Sequence, residues 1–333
     1  MKNQVQLITY ADRLGGGNIS ALHRLLNGPL AGLFGGVHIL PFYYPRNGAD
    51  AGFDPIDHTM VDPSLGSWAD VKALGQDVDL IADLIVNHVS AQSPQFLDYS
   101  EKGEASAFNG LFLTMGRVFS HGATEADLLS IYLPRPGLPF KSVTLKNGQK
   151  NLLWTTFTSQ QLDIDVTHPQ GQAYLQNVMK VLSENGIRMM RLDAVGFAIK
   201  KAGTNCFMIP ETFAFIEALK QQGKTLGIEV LVEIHSYYRK QIEIASQVDR
   251  VYDFALPPLV LSAIFTRSAF SLKQWLAISP RNAITVLDTH DGIGMIDVGA
   301  DSANPQVDPG LIPPDELDAL VEQIHINSNG QSR

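Results

Sequence analysis

Seven short apolar runs recur along the chain, at residues 5–10, 36–41, 78–86, 187–192, 228–234, 251–255 and 283–287. This recurrence limits the fold more than any other feature. Several runs are apolar at successive positions instead of alternating. A strand with one wet face alternates, whereas continuous apolarity needs cover on both faces, as in a parallel sheet flanked by helices. Amphipathic segments separate the runs, so the pattern is a series of β–α units and predicts an α/β barrel.

Helix signals sit where that reading needs them. Thr167-His168-Pro169 opens a helix, Tyr174, Val178, Val181 and Leu182 repeat along one face, and Gly186 closes it. A second starts near Pro210 and runs through Phe213, Ile216 and Leu219 to Gly223. A third follows Pro314, with Leu317, Leu320, Val321 and Ile324 on one face, and Ser67 is read as the N-cap of a fourth. The interval from His88 to Thr167 breaks the rhythm. It is rich in Gly, Pro and aromatics and too long for a structureless loop, so an inserted subdomain is expected.

The expected fold is α/β, a (β/α)8 TIM barrel over residues 1–88 and 167–333, with an inserted domain B over 89–166 after the third strand. Only seven strands are counted, and the tail 327–333 reads as loop. The barrel is therefore expected to lack its eighth strand and to be C-terminally incomplete.

Composition narrows the partners. The 333 residues carry a net charge of −9, which disfavours nucleic acid, whose phosphates need a basic surface. It also does nothing to recruit anionic lipid. The lone Cys206 has no partner for an internal disulfide and reads as a small apolar residue. No basic segment followed by a long apolar run opens the chain, and no run approaches the roughly 20 residues that span a bilayer. The expected location is the cytoplasm, without a membrane partner.

In α/β barrels the working residues stand at the C-terminal ends of strands. Residues 187–192 lead into Asp193, 228–232 into Glu233, and 283–287 into Asp288 and Asp291; Ile85-Val86 leads into Asn87 and His88. Any one of these acids is also what a helix cap would supply. Three strands delivering carboxylates to one rim, beside Arg191, is a costly arrangement without a use, because like charges repel. Retaining glycoside chemistry needs such a set: a nucleophilic carboxylate and an acid that later serves as base, about 5–5.5 Å apart. Neighbouring strands are about 4.8 Å apart, so their ends can meet that separation. Arg191 lies two positions before Asp193, on the same strand face, and its charge favours the ionised nucleophile. Burial after Val230-Leu231-Val232 would keep Glu233 protonated as the acid. Asp291 is read as the stabiliser of developing positive charge, with His88 and His290 bonding sugar hydroxyls. Gly15-Gly16-Gly17 reads as a turn, and the spacing of His88, His235 and His290 matches no zinc template.

Arg191-Leu192-Asp193-Ala194-Val195-Gly196, Val232-Glu233-Ile234-His235, Thr289-His290-Asp291 and Asp83-Leu84-Ile85-Val86-Asn87-His88 resemble the four short motifs of the α-amylase superfamily, glycoside hydrolase family 13. The longer stretches 6–14, 35–42, 48–58, 250–258 and 286–294 resemble the sucrose phosphorylases within it. The resemblance implies a double displacement with sucrose and inorganic phosphate as substrates. Asp193 would attack the glucosyl carbon, Glu233 would protonate the departing fructose, and Asp291 would stabilise the transition state. Phosphate would then take the glucosyl group as α-D-glucose 1-phosphate. It further implies a glucosyl subsite of Asp50, Phe53, His88, Phe157, Arg191 and His290. The stretch 131–140 resembles the acceptor lining, with Arg135 holding phosphate and Tyr132 beside it. Aromatic faces suit sugar rings, and a guanidinium suits phosphate oxygens.

Phe197 stands where the family has a tyrosine, which leaves acceptor preference open. The resemblance implies no cofactor and no metal, and the relatives include homodimers. Phosphorylases or hydrolases of related α-glucosides, such as sucrose 6'-phosphate or glucosylglycerate, and an inactive fragment stay as alternatives.

Overall fold

The four N-terminal apolar runs form strands because each can be covered on both faces. In the computed structural model, which describes residues 1–48, 50–286, 291–301 and 309–332, these strands are β1 (Gln6–Thr9), β2 (Gly36–Ile39), β3 (Asp79–Ile85) and β4 (Ile187–Asp193). Every residue of β2 is buried, as is every residue of β3 after Asp79. The chain divides into two compact units, Met1–Val230 and Leu231–Arg333.

In the first unit β1, β2, β3 and β4 lie side by side in chain order, all parallel. Gly36 of β2 faces Gln6 of β1 and Asp79 of β3, and Arg191 of β4 faces Asp83 of β3. Parallel neighbours need crossovers, and helices Ile19–Asn27 and Trp68–Leu74 supply the first two. Ser67 caps the second with a full capping box, its partner being Asp70.

Helix Pro169–Glu184 buries Leu175, Val178, Met179 and Leu182. It is followed by Gly186 at φ 88°, a conformation that glycine adopts without strain. The following helix, Pro210–Leu226, does not end at Gly223 as its sequence suggests. It runs on to Gly227, whose left-handed φ of 72° is the actual stop. Gly223 is buried inside the helix, where a Cβ would lie 2.8 Å from the Ile228 carbonyl oxygen. The glycine there answers a packing demand, not a turn.

The interval after β3 leaves the sheet through strand His88–Ser90 and returns through Gln161–Asp163, and these two pair antiparallel. Between them stand helix Pro94–Lys102, two short helices, Met115–Val118 and Glu125–Ser130, and the hairpin of Phe140–Thr144 with Lys150–Trp154. They enclose a small core of Leu113, Phe119, Ile131, Trp154 and Cys206. The lone cysteine is buried there as an apolar residue.

In the second unit, Leu231 and Val232 at the end of β5 (Glu229–Val232) pair with Arg250 and Val251 of β6 (Arg250–Asp253). Strand β6 in turn pairs with β7 (Ala283–Thr285), again parallel. All seven runs therefore contain a strand, with ends that differ from the run's by no more than two residues where they are described. Tyr238, Ala255, Leu259, Trp275, Val298, Leu311, Ile312 and Leu320 form the core of this unit. Helix Pro314–Asn327 contributes Leu320 to it fully and Leu317 and Ile324 in part, while Val321 stays 37% exposed. Among the described residues no helix is long and apolar enough to cross a membrane.

Candidate active site

The first unit carries most of the candidate residues. Asp193 is the last residue of β4, and Arg191 is two positions earlier on the same face. Arg191 Nη1 donates to Asp83 Oδ1 at 2.6 Å and to Asp193 Oδ1 at 3.1 Å. Both Arg191 and Asp83 are buried, so their charges depend on each other. Burial opposes ionisation of Asp83, but the charges of His38 and Arg191 and hydrogen bonds from both outweigh it, holding the carboxyl at about 2. Tyr43 Oη donates to the Asp83 carbonyl oxygen at 2.6 Å, fixing the strand beneath the pair. Asp193 itself is half-buried, beside a guanidinium that favours its carboxylate form.

Phe53 is buried against Leu40 and Ile85, and the Arg191 guanidinium lies 5.5 Å from its ring centre. His88 Nε2 donates to the Phe53 carbonyl oxygen at 2.8 Å. Burial lowers the His88 pKa despite the nearby carbonyl and the acids Asp163 and Asp50, so the ring is a neutral N–H donor. Asp50 is reached by Gln161 Nε2 at 2.9 Å and by Arg135 Nη2 at 3.3 Å. Phe157 stands edge-on to His88 at 5.3 Å and 5.9 Å from the Arg135 guanidinium. Tyr132 stacks on Phe197 at 6.0 Å and tilts on Phe207 at 4.7 Å. Asp50, Phe53, His88, Tyr132, Arg135, Phe157, Arg191 and Asp193 are thus linked through contacts within one unit.

Three residues here had no signal in the sequence. Gln161 is buried with its Oε1 unpartnered among the described residues. Lys200 has a buried ammonium that pairs with Asp163 and donates to Asn87 Oδ1 at 2.6 Å. Burial lowers the Lys200 pKa, and Asp163 opposes that. Asp163 also accepts from Thr156 N at 3.0 Å and Thr156 Oγ1 at 2.5 Å. The ammonium ties the return strand of the insertion to the loop after β3. Its partners lie far away in sequence, which no local pattern reveals.

The second unit holds the other two acids. Glu233 follows β5 and is half-buried, Asp291 is exposed, and His235 is half-buried. One side-chain atom from each of Glu233, His235 and Asp291 falls within 4.8 Å of the others. That spacing would admit a cation, but exposed acidic groups often gather without one, and His235 Nδ1 is already committed to Asp297 Oδ2 at 2.9 Å. Burial lowers the His235 pKa, yet the Asp297 hydrogen bond and charge, followed by Glu233 and Asp291, raise it overall. The ring stacks flat on Phe254, centre to centre 3.9 Å. The candidate His290 lies outside the described residues.

The α-amylase catalytic domain family matches residues 33–241. The chain is 60% identical to a sucrose phosphorylase of Agrobacterium vitis over 333 residues, covering 100% of itself and 68% of that protein. It is 52% identical to a sucrose phosphorylase of Bifidobacterium adolescentis, covering 66% of it. The chain therefore spans about two thirds of the length of these curated relatives. The crystal structure of a sucrose 6F-phosphate phosphorylase from Thermoanaerobacter thermosaccharolyticum superposes with a TM-score of 0.87 at 36% identity, over 97% of this chain and 64% of that one. A trehalose-6-phosphate hydrolase of Bacillus licheniformis, 16% identical with a TM-score of 0.63, shares the fold. The fold is the (β/α)8 barrel of the α-amylase catalytic domain, with seven of its strands among the described residues, and the chain belongs to the sucrose phosphorylase family within it.

Proposed function

We propose that the protein transfers a glucosyl group from sucrose to inorganic phosphate with retention of configuration. The observation that carries this reading is the Arg191–Asp193 contact at 3.1 Å in a chain 60% identical to a sucrose phosphorylase. Asp193 is the nucleophile, kept anionic by a guanidinium that is itself anchored. Glu233 protonates the fructose oxygen as the glycosidic bond breaks, then takes a proton from phosphate as the second bond forms. Asp291 faces the positive charge that develops on the sugar. Asp50 and His88 bond glucosyl hydroxyls, Phe53 and Phe157 line the apolar ring faces, and His290 completes that set. Arg135 and Tyr132 meet the phosphate.

The mechanism needs no cofactor, and each proton moves between substrate oxygens and Glu233. The acidic charge and the lone buried cysteine support a cytoplasmic enzyme. Homodimer formation belongs to the same proposal, read from native mass. The deciding experiment incubates the purified protein with sucrose and phosphate. Glucose 1-phosphate without free glucose supports the reading, and free glucose alone overturns it in favour of a hydrolase.

A further inference from the structure

Asp297 sits in a short 3-10 turn, Met295–Asp297, and is completely buried. Three N–H groups converge on its two oxygens. Ser236 N and Gln241 Nε2 donate to Oδ1 at 3.0 and 2.8 Å, and His235 Nδ1 lies 2.9 Å from Oδ2. Donors at both oxygens are what an ionised carboxylate requires, since it accepts everywhere and donates nowhere. His235 Nδ1 must therefore carry the hydrogen. Its Nε2 is buried and has no hydrogen-bond partner among the described residues. That nitrogen remains uncommitted among the described residues, and one of the two ring nitrogens lies within 4.8 Å of a carboxylate oxygen of Glu233 and one of Asp291.

The space around Asp297 and the His235 ring is closed as well. Gly294 has φ −80° and ψ 110°, which alanine adopts freely. Yet a Cβ there would lie 2.2 Å from Asp297 Oδ2 and 3.0 Å from His235 Nδ1. Glycine is needed at 294 by proximity, not by backbone conformation. Phe254 closes one face of the imidazole.

We propose that Asp297 is a positioning residue for the acid–base carboxyl Glu233, acting through His235 by fixing the hydrogen on Nδ1 and turning Nε2 to the carboxyl. The inference rests on the reading of Glu233 as acid and base. Against burial, the surrounding carboxylates raise the His235 pKa. In the neutral form that prevails above it, the locked Nδ1–H leaves a lone pair at Nε2 for the proton that Glu233 must hold before it gives it up. Asparagine cannot reproduce this. Its single carbonyl oxygen can serve Ser236 N and Gln241 only by turning its NH2 toward His235 Nδ1. The imidazole then has to move its hydrogen to Nε2, where it meets the acid proton head-on.

Two measurements test the proposal. The first compares sucrose with α-D-glucosyl fluoride, whose leaving group needs no proton. Glu233→Gln is the control: a large loss on sucrose and little on the fluoride establishes Glu233 as the acid, and equal losses sink that reading alone. Given that control, Asp297→Asn and Gly294→Ala are expected to lower kcat on sucrose roughly tenfold to a hundredfold, and on the fluoride less than about threefold. Equal losses on both donors overturn the positioning role. The second measurement needs no turnover. Long-range proton–nitrogen spectra of protein labelled with 15N-histidine, assigned with His235→Gln, are expected to show the His235 hydrogen on Nδ1, moving to Nε2 in Asp297→Asn. A hydrogen already on Nε2 alone in the unmodified protein overturns the proposal.

Discussion

Arg191 holds Asp193 through Nη1, which lies 3.1 Å from Oδ1. The same nitrogen is anchored to Asp83 at 2.6 Å, so the charge beside the nucleophile cannot swing away. Lysine at 191 keeps the charge but offers a point donor on a flexible stem in place of a planar fork. Arg191→Lys is expected to lower kcat on sucrose roughly a hundredfold while sucrose KM changes little, because the contact keeps the nucleophile ionised and aimed. A rise in KM with kcat unchanged would show that Arg191 serves binding alone.

Asp83 links the same pair to acid stability. Its folded carboxyl is held at about 2, against an ordinary 3.8. A depressed folded value contributes stability above the unfolded pKa and loses it as pH falls through the folded one. The contribution is about 2 kcal/mol, complete above about pH 5 and gone below about pH 1. Asp83→Asn removes that slope. Denaturant midpoints taken between pH 6 and pH 2 are expected to fall less steeply for the variant than for the unmodified protein. Parallel slopes would place the acid sensitivity elsewhere.

Lys200 makes a complementary case. Its ammonium is buried with Asp163 and Asn87, and 113 residues separate it from Asn87. Lys200→Met leaves the Asp163 carboxylate buried without its cation and is expected to cost about 3–5 kcal/mol. The double change Lys200→Met with Asp163→Asn removes the stranded charge and is expected to recover part of that loss. Urea unfolding of the four proteins in a double-mutant cycle measures the coupling. A double variant no more stable than Lys200→Met would show that the pair is not the source of the loss.

The sequence makes some of this legible and hides the rest for physical reasons. Strand β3 is readable because six consecutive buried positions, apolar at all but Asp83, make a run that no amphipathic helix produces. Asp193 is readable because it ends such a run, where a barrel places its chemistry. Gly223 misleads, since a glycine in a helical pattern reads as a stop when only the approach of the Ile228 carbonyl explains it. Lys200, Asp163 and Gln161 act through partners that are distant along the chain, and Asp297 looks like any acid in a turn. Pairing across such distances is a property of the fold, and no window of sequence contains it.

Gly186 and Gly223 separate space from conformation. Gly186 has φ 88° with nothing within 4 Å of a Cβ, whereas Gly223 is helical with a carbonyl oxygen 2.8 Å away. Gly186→Ala is expected to cost about 1 kcal/mol from the left-handed backbone alone. Gly223→Ala gains helix propensity of about 1 kcal/mol but forces the helix off Ile228, for a net loss of about 1–3 kcal/mol. Gly186→Asn is expected to recover much of the first loss, and Gly223→Asn none of the second. Thermal midpoints of the four variants check this, and equal recovery at both positions would remove the distinction.

Arg135 gives the last test, because two demands meet on one side chain. It is 47% exposed, bonds Asp50 Oδ1 at 3.3 Å and lies 5.9 Å from the Phe157 ring centre. An exposed ion pair contributes only about 0–1 kcal/mol, so its loss barely changes stability. Paired donation to phosphate oxygens, by contrast, depends on the guanidinium fork. Arg135→Lys is expected to raise the phosphate KM about tenfold, while sucrose cleavage in the absence of phosphate stays within about twofold. If Arg135 instead serves mainly to orient Asp50, the substitution weakens both half-reactions together. Transfer to phosphate and slow hydrolysis by water, measured on the same variant, separate the two: only a phosphate contact changes their ratio.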